Sequence, residues 1–452
     1  MPRQSGKHGL TRRQVVGAGG AAAIGLAAPW RHATAAKVAP MTIVINQSPW
    51  FDSFRKTVEL YEKETGNKVE LDVNPFAGSL EKQRNSVRAA NGQYDLLIMN
   101  SGWVAEMYFG GFVEPIAAIE PSFKLDPGVY TLDDTVYFDA EKKTMSAAGK
   151  LMSVPISPLI PLLYYRSDLY KEAGLKAPET FAELEANAKK LHKPPSRYGI
   201  VQRGARGPAS VSYDFYPYLY GFGGGIFKNQ AAGDYTVTLN NEAGRTALDY
   251  YLRIAKEAGH PQTASLDQAE VIQNMLTGKA AHIMVVVSAW SQMDDPDKSA
   301  VIDKVEFAVP PHAEGFSTGP GLGHWLGGIA RNVPDDRKRS ALEFLRWFQS
   351  KEAQLAYAKV GGIPVSAASY RDPIAQERRY RWMKPLGEAL PHAVNIYQFP
   401  QASEVISILE LGLNQAVAGN TTSVQALNSM AEQIFGVMSK HNYNTGKLPA
   451  LP

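Results

Sequence analysis

Thr42 to Val73 reads "TIVINQSPWFDSFRKTVELYEKETGNKVELDV". Thr42–Asn46 is a run of β-branched residues and predicts a strand. Asp52–Thr65 predicts a helix, with Asp52 as its cap, Phe54, Val58 and Tyr61 on one face and Gly66 as terminator. Val69–Val73 alternates as a second strand. A strand, a helix and a strand within about 30 residues imply a parallel pair joined by a right-handed crossover. Further strands are expected at 94–99, 149–155, 162–166, 280–287, 305–309 and 326–331. Helices are expected at 180–191, 266–277, 336–350 and 423–438. Strands and helices that alternate over most of the chain place it in the α/β class. Pro155, Pro158 and Pro161 crowd one segment, where prolines disfavour a central strand and suit a stiff crossover.

The first 35 residues stand apart. Thr11-Arg12-Arg13-Gln14-Val15-Val16 opens a small apolar run to Ala28, and Ala33-Thr34-Ala35 supplies an A-x-A cleavage site. Twin arginines in this setting predict a Tat-type export signal over residues 1–35 and a periplasmic protein. This segment holds five of the 47 Lys and Arg and none of the 44 Asp and Glu, so the remainder carries −2. That balance points away from nucleic acid and anionic membranes. The chain has no cysteine, which excludes disulfides, thiolate metal sites and a lipid-anchored cysteine. At 452 residues, two domains are expected.

Gly315–Arg331, "GFSTGPGLGHWLGGIAR", contains six glycines and two enzyme spellings. Gly315-x-Ser317-x-Gly319 matches a hydrolase nucleophile elbow, which needs a strand running into the serine and a helix leaving it. Pro310-Pro311 before it and Gly319-Pro320-Gly321 after it predict neither. Gly321-x-Gly323 precedes a strand, whereas a dinucleotide fingerprint follows one. The glycines read instead as a crossover that approaches ligand closely. The nine histidines form no zinc spacing. No catalytic residue, metal or cofactor is expected.

Aromatic and polar residues then collect at predicted strand ends. Ser48 and Trp50 follow the first strand, and Asn100, Ser101 and Trp103 the third. Ser157 lies in the proline crossover, and Tyr213 and Asp214 precede "FYPYLYGFGGG". Trp290 follows the 280–287 strand, and His324-Trp325 sits in the glycine stretch. Ligands of open α/β sheets bind beyond the carboxyl ends of strands. Flat aromatic faces suit the C–H faces of a sugar, and Asn, Asp, Ser and His bond its hydroxyls. The four tryptophans are expected to form the stacking surfaces.

Several segments, in order, carry a family resemblance: "NGQYDLLIMNSGWVAEMYFGGFVEPI" (91–116), "GKLMSVPISPLIPLLYYRSDLYKEAGLKAPETFAELEANAKKL" (149–191), "MLTGKAAHIMVVVSAW" (275–290), "LGGIARNVPDDRKRSALEFLRWFQSKEAQ" (326–354) and "AVAGNTTSVQALNSMAEQI" (416–434). The chain resembles the extracellular solute-binding proteins of ABC importers, in the carbohydrate branch that includes maltose-binding protein. The resemblance implies a type II two-lobed periplasmic binding fold, each lobe a mostly parallel sheet flanked by helices. It divides the chain into an N-terminal lobe (37–156 and 326–370) and a C-terminal lobe (157–325 and 371–452). Hinge crossovers are expected near 155–161, 315–326 and 365–375. It further implies a non-enzymatic monomer that captures a carbohydrate in the cleft and delivers it to ABC permease subunits. The family's carboxylate near Leu159 and its aromatics near Ile406 are missing, which points to a smaller sugar, a polyol or another disaccharide. The rival classes are an exported carbohydrate-active or redox enzyme and a binding protein for a non-sugar solute.

Overall fold

The structure, a computed structural model, describes residues 37–452. The export segment expected over 1–35 lies outside the described residues. The opening unit forms as expected: β1 (Met41–Asn46), α1 (Phe51–Thr65) and β2 (Val69–Asn74). Phe54, Val58 and Tyr61 are buried against the sheet. Gly66 ends α1 in the left-handed conformation, φ 73°, its N–H bonding the Glu62 carbonyl, where any side chain would be strained. Asp52 does not cap the helix. It lies in the first turn, where its charge favours the positive end of the helix dipole.

The chain continues through α2 (Phe76–Arg88), β3 (Leu96–Asn100), α3 (Ser101–Phe109), β4 (Ser153–Ser157) and β5 (Pro161–Arg166). It then runs through α4 (Phe181–Leu191), α5 (Val211–Gly221), α6 (Glu242–Ala258), α7 (Gln268–Leu276), β6 (His282–Val286), β7 (Val305–Ala308) and β8 (Trp325–Ile329). Helices α8 (Asp335–Phe348), α9 (Ala402–Val417) and α10 (Ser423–Lys440) follow. The capping box expected at Thr180 and Glu183 is present at the start of α4.

Two sheets organise the chain. The first has the order β2-β1-β3-β8-β4 and the second β6-β5-β7. In the first, β2 and β3 flank β1 in parallel, while β8 runs antiparallel to both β3 and β4. In the second, β6 and β7 both pair antiparallel with β5. The expectation of mostly parallel sheets is therefore corrected. The opening β1-α1-β2-α2-β3 run is joined by helical crossovers, whereas β8 re-enters the first sheet from a long excursion in the opposite direction.

The prolines also sit differently. Pro155 lies inside β4 and Pro161 opens β5. Both are tolerated, since β4 is the sheet edge and a first strand residue need not donate to the ladder. In β5, Leu162 and Tyr164 join one hydrophobic cluster and Leu163 the other. Both faces of the second sheet are thus covered, as a strand's period of two requires.

Two of the expected crossovers, near 155–161 and 315–326, touch each other and the segment at Val394. The Gly323 N–H bonds the Leu159 carbonyl at 2.9 Å, and the Leu322 N–H bonds the Val394 carbonyl at 2.9 Å. Residues 365–367 pair elsewhere: the Tyr130 N–H bonds the Val365 carbonyl at 2.8 Å and the Ala367 N–H the Gly128 carbonyl at 2.8 Å.

Candidate ligand-binding site

Strand direction builds the site. Asn46 and Asn100 end β1 and β3 at one edge of the first sheet. Because β8 is antiparallel to β3, its first residue, Trp325, pairs with Asn100 at that same edge. Val286 and Trp290, at and beyond the end of β6, face the same cavity, a cleft of about 1420 Å³.

Eight of the predicted site residues line this cleft: Ser48, Trp50, Asn100, Ser101, Trp103, Tyr213, Trp290 and Trp325. Trp325 packs 5.4 Å from Trp50 and 5.3 Å from Trp103, ring centre to ring centre, the latter edge-on. Trp290 stacks on Trp382 at 5.1 Å, so one of its faces is already taken. The four tryptophans are only 1–3% exposed. They are cleft wall and core at once, rather than the exposed platforms the sequence suggests.

Two of the eight lining residues are already engaged. The Asn100 side chain accepts the Gly102 N–H at 3.0 Å and so caps α3. The Ser101 hydroxyl donates to the Leu322 carbonyl at 3.0 Å, tying α3 to the glycine crossover. Others have no partner. Buried and unbonded atoms on the lining are Ser48 Oγ, Trp50 Nε1, Tyr213 Oη and Trp290 Nε1, with Asn46 Oδ1, Ser288 Oγ and Arg203 Nε, which sequence reasoning missed. Buried polar groups in native proteins are nearly always hydrogen-bonded, so a set of orphans converging on one cleft marks a place for a polar ligand.

Three predicted residues do not line the cleft. Ser157 is fully buried. His324 is fully buried too, its Nε2 2.9 Å from the Thr135 hydroxyl. The same hydroxyl stands 3.0 Å from the Thr131 carbonyl. Burial pushes the His324 pKa down to about 3, and the ring stays neutral. Asp214 lies behind the wall. It accepts the Tyr251 hydroxyl at 2.8 Å and the Arg203 N–H at 3.2 Å. Burial raises its pKa to about 6, against the opposing pull of the Arg203 guanidinium. Arg203 does line the cleft. A lone arginine in "VQRGARG" offered no pattern by which to find it.

The glycine stretch is explained by contact. A Cβ on Gly323 would stand 2.8 Å from the Tyr213 ring, and one on Gly327 would stand 2.8 Å from Leu345 of α8. Ser317 is exposed, and no helix leaves it, so the nucleophile-elbow geometry is not met.

A profile of the bacterial extracellular solute-binding protein family matches residues 45–355. The chain belongs to this family. The mannitol-binding protein of Pseudomonas aeruginosa is 27% identical over 283 residues, 62% of this chain and 61% of that protein. The match thus spans less than two thirds of that relative's length. Among solved structures, a solute-binding protein of Agrobacterium radiobacter in complex with ribitol superposes with a TM-score of 0.76 at 22% identity, covering 89% of this chain and 99% of that one. A maltose-bound protein of T. maritima superposes with a TM-score of 0.77 at 22% identity, covering 88% and 100%. The fold is the two-lobed type II periplasmic binding fold.

Proposed function

We propose that this solute-binding protein captures a polyol or small sugar in the cleft and hands it to the membrane permease of an ABC importer. The observation that carries the reading is the set of buried, unpartnered donors and acceptors between indole rings. A hydroxyl both donates and accepts, so a polyhydroxylated chain satisfies indole N–H, serine and tyrosine hydroxyls and the Asn46 carbonyl alike, while its C–H faces lie on the tryptophans. The names of the similar proteins, which bind mannitol, ribitol and maltose, support the same ligand class. The charged member of the orphan set, the Arg203 guanidinium, is cationic and disfavours a polyamine.

The cleft exceeds the roughly 300–1,000 Å³ of common ligand sites. A small polyol fills it only after closure of the two lobes, which binding favours through its higher affinity for the closed form. The lobes comprise 37–156 with 326–370 and 157–325 with 371–452, and bending occurs where 157–161, 320–325 and 394 run side by side. Export by the Tat route to the periplasm, action as a monomer and the absence of catalysis complete the proposal.

A melting-temperature screen of the purified chain against D-mannitol, ribitol, erythritol, maltose, spermidine and divalent metals tests it. At a hundred times Kd one ligand stabilises by about 2.7 kcal/mol, so a rise with a polyol or sugar alone is expected. A rise with spermidine or a metal, and none with any sugar or polyol, would overturn it.

A further inference from the structure

Arg203 is a charged side chain with 4% of its surface exposed, in the wall of the cleft. One of its nitrogens, NH2, donates to the Gln268 side chain. Its Nε has no hydrogen-bond partner and stands 3.8 Å from Asp214 Oδ1, too long for a hydrogen bond. Its guanidinium carbon lies 5.4 Å from the centre of the Tyr213 ring, a cation–π distance. Tyr213 is itself wedged against the Gly323 backbone, and its hydroxyl is buried without a partner. The Tyr251 hydroxyl on α6 stands within hydrogen-bond distance of both Asp214 and the Arg203 carbonyl. The guanidinium is therefore held from three sides, by Gln268, Asp214 and the Tyr213 ring, with donor capacity left over.

A planar fork of N–H donors matches two neighbouring oxygens. Resting on the proposed function, we propose that Arg203 reads a pair of adjacent oxygens of the ligand, and that Asp214 and Tyr213 are positioning residues acting through it. Asp214 was singled out by its sequence context as a ligand contact; here its role is one layer further back.

The charged and titratable groups around Asp214 are Arg203, Tyr251 on α6, Tyr218 on its own helix and Asp267 at the start of α7. Glu410 on α9 meets the beginning of α5 at the Ser212 N–H. Arg203 is the cation among these. Protonation of Asp214, whose pKa is raised to about 6, removes the charge that orients it.

Calorimetric titration of the full chain with D-mannitol, ribitol and D-gluconate between pH 5 and 8 tests the proposal. Gluconate has five hydroxyls and a carboxylate in place of one terminal hydroxymethyl group, and differs from D-mannitol in configuration at C2, so tighter binding of gluconate than of mannitol means that the fork holds a carboxylate rather than a hydroxyl pair. The wild-type affinity is expected to fall as pH drops through 6. Arg203→Lys, which keeps the charge and loses the fork, is expected to bind at least about tenfold more weakly. Asp214→Asn is expected to bind about tenfold more weakly at pH 7.5 and to converge with the wild type at pH 5. A merely structural Asp214 would not produce that convergence.

A folded Arg203→Lys with unchanged affinity overturns the assignment alone. Should that variant not fold, a wild-type affinity flat from pH 5 to 8 overturns the positioning role. A wild-type chain that no sugar or polyol stabilises in the melting-temperature screen overturns the proposed function together with this assignment; where another sugar or polyol in that screen is the ligand, the same titrations and variants are read with that compound.

Discussion

Two serines on the cleft wall separate binding from folding. The Ser48 hydroxyl is buried without a partner, whereas the Ser101 hydroxyl bonds the Leu322 carbonyl. Ser48→Ala is expected to leave unfolding free energy unchanged or raised by up to about 1 kcal/mol while weakening ligand binding severalfold. Ser101→Ala is expected to lose about 1 kcal/mol of stability by leaving that carbonyl unpaired. Urea melts and ligand titrations of both variants check the contrast. His324 makes the pH prediction. Its folded pKa, about 3, lies below the unfolded value of about 6.5. Its contribution is therefore present above pH 6.5 and is lost as pH falls toward 3. His282, buried and lowered to about 4, acts with the same sign. Asp214 acts oppositely: its pKa is raised to about 6, so its contribution is present below about 4 and is lost as pH rises through 6. His324→Gln is accordingly expected to flatten the loss of stability between pH 6 and 4 by about 1.4 kcal/mol per pH unit. An unaltered slope in urea melts would contradict the buried neutral ring.

At the scale of elements, the glycine crossover is the informative piece. Its enzyme spellings arise because close packing and tight turns draw on the same residue that phosphate loops and nucleophile elbows use. Gly323→Ala places a methyl group 2.8 Å from the Tyr213 ring. It is expected to destabilise by about 1–3 kcal/mol and to weaken binding by displacing Tyr213. Thr180→Ala, which removes the capping box of α4 far from the lining, is expected to lose about 1 kcal/mol and leave affinity intact. The pair separates cleft geometry from stability in thermal melts and titrations. Local signals found the elements themselves well: β1, α1, β2 and the α4 cap were readable from periodicity and capping chemistry. The direction of β8 was not, because a strand of five buried residues carries the same pattern whichever way it runs.

For the whole molecule, closure is the testable property. The contacts among 159, 322–323 and 394 tie the crossovers together beside the cleft, so bending is expected there. Small-angle scattering should show a smaller radius of gyration with saturating polyol than without it. An unchanged radius, with binding verified in the same sample, would refute closure. Eight of the eleven predicted residues line the cleft, most of them at or just beyond strand ends, which are visible in sequence. Ser157, His324 and Asp214 were misplaced because a polar residue at the end of an element faces the cleft or the core according to how its neighbours pack. Arg203 was missed for the converse reason: an isolated arginine carries no periodic or spaced signal.

The α/β class, the positions of most elements, the family and the aromatic lining of the cleft could be read from the chain alone. Each rests on interactions between residues close in sequence or on the order of whole segments. The tertiary structure decided which tryptophan faces are free, which serines and histidines are already bonded, and that Asp214 stands behind Arg203. Those matters depend on contacts between residues distant along the chain, 198 residues apart for Ser212 and Glu410, and no local pattern encodes them.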